Sequence, residues 1–478
     1  MILGCGFMDI SLIITAVLFA GFAVSYGWGI RGFVIGGEKG ALLPGALMGL
    51  SVAFFAGGEK GSEYWLFFAA AGALSMFYGG TETYAQTMSY LLSRDKEGPY
   101  YNQLKKGVVG IFLKGGLWFA IPGFILALLP SALAGNYEIW EVVLLFVSFP
   151  FVSVIGTKIF NTPYDRENKK FPKLYYSLDR REEWGSNVMI ILVLAVFSAV
   201  KGDFFALGAG LCGFITGGMG FLLGLIFYDI ERRRYGKKQR YVFGSLSEKG
   251  YIDGWKIMEH AFGAFSGGAL MLYFMLTKNH FASVMSKADL SLLALGSDSI
   301  IFAVISLVLL VFTLLQYPVG VIYQKKTGKE ADVHIFEVIE RPCWSAIPLI
   351  FIFLGAPSAA AFCTFGTLSY ALCEKCALEK YEQSKYKNIL RLPFKILWPL
   401  LMVWFYFNIN SISLFDVMLL YTAGYTGACV MYTLLPDRII AYKEKKNTFA
   451  ALFGSGITVT GHLVIQSAVL IALSLIIS

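Results

Sequence analysis

The sequence predicts an all-α polytopic membrane helix bundle, and three observations predict it. Of 478 residues, 56% are hydrophobic and 15% charged, where soluble domains carry about 25% charged. Mean hydropathy is +0.63, and about a dozen apolar runs reach the ~20 residues that cross a bilayer. Lys and Arg gather in alternate connections between those runs, as positive-inside topology requires. The net charge of +8 therefore reads as topology and not as affinity for nucleic acid. The seven cysteines lie mostly in apolar runs, as small buried hydrophobes would.

The first run, 9–29, follows a leader without Lys or Arg and opens on Asp9, so it reads as a retained span and not as a cleaved signal. The next spans are 40–57, 63–92, 107–130, 139–160, 186–207, 213–229, 255–276 and 299–323. After a segment at 342–373 come 389–408, 413–435 and 449–477. The connections holding Lys105 and Lys106, Lys169 to Lys173, Arg232 to Lys238, and Lys325 to Lys329 are basic, so they face the cytoplasm. That places the N-terminus outside. The connection after 342–373 is basic too, with Lys375, Lys380, Lys385 and Lys387, which one ordinary crossing cannot satisfy. A re-entrant hairpin over 342–373 restores the alternation. It would break at Gly355-Ala356-Pro357, because proline removes a donor and disfavours helix in the residue before it. The alternative is one long kinked span. The expectation is about 12 full spans plus the hairpin, in a membrane of the bacterial cytoplasmic (inner membrane) type.

Between the first two spans lies Gly27-Trp28-Gly29-Ile30-Arg31-Gly32-Phe33-Val34-Ile35-Gly36-Gly37-Glu38-Lys39-Gly40. Glycine permits close backbone approach, and ionisable residues at membrane depth are costly enough to mark a path or a site. The plainer reading gives the glycines to helix packing and Arg31, Glu38 and Lys39 to a capped interfacial turn. The pattern recurs without a gap from Gly29 to Gly210, an offset of 181 residues, as Gly210-Leu211-Cys212-Gly213-Phe214-Ile215-Thr216-Gly217-Gly218. It is expected there to join spans six and seven. A displacement of five spans inverts the second unit, which gives an inverted repeat with units 1–185 and 186–373 and an extension at 374–478. Inverted repeats with a site at their interface are a common carrier architecture. Chance among 51 glycines is the alternative. The echo lacks the charges, since Arg31 faces Cys212, so the charges need their own explanation.

Three polar groups interrupt the apolar runs. Glu82, Gln86 and Ser89 lie at helical spacing on one face of span 63–92, and suit a polyol, sugar or amino group. Otherwise they form the polar cytoplasmic end of span three. Lys256, Glu259 and His260 stand three and four residues apart, which suits a proton relay or an interfacial salt bridge. Thr458, His462 and Gln466 line one stripe of the last span. Arg31, Glu38, Lys39, Glu82 and Gln86 are the substrate-binding candidates. Lys256, Glu259 and His260 are the relay candidates, with His462 and Gln466 second to them. No P-loop, nucleophile elbow or metal-ligand spacing is evident, so no cofactor, metal or catalytic residue is assigned.

These readings favour a secondary transporter for a polar, anionic or sugar-derived metabolite, driven by an ion gradient, with the proton as coupling ion. The connections are too short for a nucleotide-hydrolysing domain. A membrane-embedded transferase acting on lipid-linked sugar or acyl groups is the alternative, with His260 as base and Arg31 and Lys39 on phosphate. A non-catalytic scaffold or sensor is the third. The partners expected are the bilayer and a small polar molecule, with no nucleic acid.

Overall fold

A computed structural model describes residues 10–31, 37–93, 96–236, 254–288, 413–419 and 461–477, with isolated positions at 326, 422 and 426. The expected elements at 299–323, 342–373 and 389–408 lie outside the described residues, as does most of 413–435. Every element among the described residues is helical, apart from one isolated bridge between Asp165 and Lys170.

Among the described residues, four helices are long and apolar enough to cross a membrane: α1 (Ile10–Ile30), α6 (Leu104–Leu133), α7 (Ile139–Phe160), and the Phe204–Asp229 part of α9 (Phe204–Gly236). A fifth results if α10 (Gly254–Leu276) and α11 (Lys278–Lys287), bent 72° apart, form one span. Shorter apolar helices fill the rest: α2 (Gly37–Phe55), α4 (Trp65–Gly80), α8 (Trp184–Val200) and α12 (Gly461–Ile477). The chain is a helical membrane protein.

The exposed surface carries the same message. Ile10, Ile14, Leu18 and Phe22 form an exposed stripe at four-residue spacing on α1, and Phe151, Ile155 and Ile159 form one on α7. An apolar stripe on the outside of a bundle with a packed interior faces lipid. The interior is built from pairs: α2 along α4, α6 along α9, and α10 along both α1 and α9. Every residue of α4 is buried.

Three expectations need correction. The span expected over 63–92 is broken: α4 stops at Gly80, residues 81–84 are not helical, and α5 (Ala85–Leu92) restarts. The span expected over 186–207 ends at Val200, and the chain turns at Lys201–Asp203, where Gly202 adopts a φ of +69° that side chains resist. The second glycine copy joins no spans. Gly210–Gly218 lies within the continuous α9, where a Cβ on Gly213 would sit 2.2 Å from the Phe119 carbonyl oxygen, and one on Gly217 2.2 Å from that of Gly115. Those glycines let α9 press backbone to backbone against α6, which is the packing role. The first copy runs through the end of α1 into residues outside those described.

Candidate functional site

The break at Thr81–Tyr84 organises the polar interior. A helix end leaves carbonyls without partners, and here neighbours supply them. Thr81 N and Oγ1 donate to the Tyr78 carbonyl at 3.3 and 2.8 Å, and Asn187 Nδ2 donates to it at 3.0 Å. Lys114 Nζ donates to the Thr83 carbonyl. A Cβ on Gly79 would lie 2.2 Å from Trp118 Cδ1, so the last turn of α4 can meet α6 only as glycine.

Three consecutive residues then reach three polar groups. Tyr84 lies between Arg31, just past the end of α1, and Glu259 of α10: Arg31 donates to its hydroxyl at 3.4 Å, and the hydroxyl donates to Glu259 Oε1 at 3.3 Å. Trp255 Nε1 donates to the same oxygen at 3.0 Å, and Lys256 Nζ holds Oε2 at 2.8 Å. Arg31 is only 5% exposed, and its guanidinium carbon lies 4.9 Å from the ring centroids of Trp28 and Trp118, within cation–π reach. One turn on from Lys256, His260 Nδ1 lies 3.0 Å from the Ser25 carbonyl and 3.1 Å from Ser25 Oγ, which also accepts from Gln466 Nε2 at 3.2 Å. The ring sits against α1 where a Cβ on Gly29 would come within 2.2 Å of Cε1.

Thr83 leads to the second group, which sequence reasoning missed. Lys114 of α6 is fully buried, 2.6 Å from Glu182 Oε1 and 2.9 Å from Thr87 Oγ1. Glu182 also accepts from Tyr176 N at 2.8 Å and Ser177 Oγ at 3.0 Å. This ion pair ties the connection 161–183 to α6. Glu82 belongs to the third group, accepting from Asn187 Nδ2 at 2.7 Å.

The sequence candidates therefore divide. Arg31, Lys256, Glu259, His260 and Gln466 meet around α1 and α10. Glu82 and Gln86 turn instead to α8 and to 161–183. Gln86 donates to Asp179 Oδ1 at 2.6 Å and accepts from Leu178 N at 2.9 Å. Glu82 lies ahead of α5, so the single helical face expected for Glu82, Gln86 and Ser89 does not form. That hydrogen bond from Gln86, with the Arg166 guanidinium 2.6 Å away, holds the Asp179 carboxyl below its ordinary range. The side chains of Glu38, Lys39 and His462, and all of Thr458, lie outside the described residues.

Lys114 was detectable, as the one lysine in the apolar run 107–130. Tyr84, Trp28 and Trp118 carried no such signal, because aromatic residues are common in this chain. Among the described residues, no group of three or more His, Cys, Asp or Glu is placed to hold a metal. No protein-family model, curated protein or solved structure matches the chain.

Proposed function

We propose that the chain is a secondary transporter for a small polar metabolite bearing an anionic group, with protons as the driving ion. The observation that supports this most is the break at Thr81–Tyr84 at the end of the wholly buried α4, with buried ionisable groups gathered on it. At ~1.5 Å per residue α4 is about 24 Å long, short of the ~30 Å hydrocarbon core, so a helix crossing at this place is interrupted within it. Non-helical backbone at that depth is tolerated where it is enclosed by protein or lines water, and carriers build their sites on such discontinuous helices.

In this reading Arg31, with the Tyr84 hydroxyl beside it, binds the anionic group. Glu259 carries the coupling proton, with Lys256 and the His260–Ser25–Gln466 chain next to it. The finer topology belongs to the same reading: about 12 spans, a hairpin over 342–373, both termini outside, and insertion in a cytoplasmic membrane.

The test is proton movement in proteoliposomes loaded with a pH dye, challenged with a panel of small carboxylates and sugar phosphates. At least one compound should drive proton uptake. Arg31→Ala and Glu259→Gln should each abolish it while the protein still inserts and elutes as a single species. A flux indifferent to both substitutions removes the site, and no flux with any compound removes the transport reading.

A further inference from the structure

The strongest unassigned feature is a cleft of ≈ 440 Å³ away from the charged break. Val108, Phe112 and Leu113 of α6, Val188 of α8, Phe214 of α9, and Leu174 and Tyr176 of the 161–183 connection line it. The size falls within the ~300–1,000 Å³ of small-molecule sites. Its walls are almost wholly apolar, so a polar headgroup has no partner inside. The residues next to that lining in the chain are different. Lys105 stands one helical turn before Val108 and Val109, and Lys173 directly precedes Leu174, both exposed. The occupant must therefore combine a hydrocarbon tail with an anionic head, in a protein whose surroundings are lipid.

We propose that this cleft binds one acyl chain of an anionic phospholipid, with the phosphate held at Lys105 and Lys173. The bound chain packs on the Tyr176 ring, whose backbone N–H donates to Glu182 at 2.8 Å. An occupied cleft thus props the segment that carries the buried Lys114–Glu182 pair. This site stands apart from the transport reading and does not depend on it.

The test uses the full-length chain purified in mild detergent with equal amounts of phosphatidylglycerol and phosphatidylcholine, read by native mass spectrometry. One phosphatidylglycerol should stay bound at least tenfold more often than phosphatidylcholine. Val188→Trp, which fills the cleft, should abolish that retention. Lys105→Gln with Lys173→Gln should remove the preference between the two lipids. Both substitutions leave the interior ion pairs intact, and an unchanged melting temperature confirms folding. Should Val188→Trp disturb folding, Val188→Phe replaces it, and phosphatidylglycerol with brominated acyl chains should quench Trp184 in the parent chain. Equal retention of the two lipids, or retention untouched by filling the cleft, overturns the proposal. So does tighter retention of a free fatty acid, or a monomer–dimer shift on filling the cleft in place of lipid loss.

Discussion

Glu182→Leu should release the 161–183 connection from the bundle. Lys114 and Glu182 are buried together, their charges 2.6 Å apart. Removing the carboxylate leaves the ammonium with only the Thr83 carbonyl and Thr87 Oγ1, and leaves the Tyr176 N–H without its acceptor. Breaking one side of a buried pair costs about 3–5 kcal/mol. At ~1.4 kcal/mol per factor of ten, that is roughly a 100- to 4,000-fold rise in the open population of the segment. Hydrogen exchange read by mass spectrometry on the peptide around Tyr176 measures it, because exchange of a locally opened segment tracks that population. Amides in the middle of α6 serve as the control for global unfolding. Lys114→Met combined with Glu182→Leu should cost less than Glu182→Leu alone, since no unpaired charge is then buried. A rise below tenfold, or a double variant as costly as the two single losses added, would refute the assignment of this pair as the anchor.

Other substitutions probe the same contacts. Gly217→Val should push α9 off α6, because the position faces the Gly115 carbonyl oxygen at 2.2 Å even for a Cβ alone; the loss of folded protein after mild heating measures it. Gly29→Ala should expel the His260 ring from its place against Ser25 and shift the pH profile of proton flux, while Gly58→Ala, with open space around it but a φ of +65°, should leave that profile unmoved. Asp179 has a folded-state pKa held below the ordinary carboxylate value, so its contribution is complete above about pH 4 and fades as pH falls through the lowered value. Gln86→Leu should bring that titration back up toward the ordinary range, seen by carboxyl carbon NMR.

The long apolar runs were legible because each carries its own boundary. The span expected over 139–160 coincides with α7, and 9–29 with α1 to within one residue. The interruption at Thr81 was not, because its polar residues fit a helical period equally well. Only the partners Lys114 and Asn187, distant in sequence, make the broken form satisfiable. Lys201-Gly202-Asp203 did offer a turn signal, which the surrounding apolar run masked. The glycine echo shows the opposite hazard: a repeated spacing that packing alone explains at α9. In the site, the spacing of Lys256 and Glu259 pointed to their ion pair, whereas the meeting of α10 with Arg31 depended on Tyr84 and was invisible in one dimension.

The most direct test of a water-reaching polar junction at the helix break is thiol labelling of Thr83→Cys, with the seven native cysteines replaced. In sealed vesicles of known orientation, a membrane-impermeant maleimide should reach this position from one side at rest and from the other when a transported compound and a pH gradient are applied. If the thiol stays unreactive from both sides under every condition, while denatured protein labels fully, the break is a packed structural kink and the transport account is wrong.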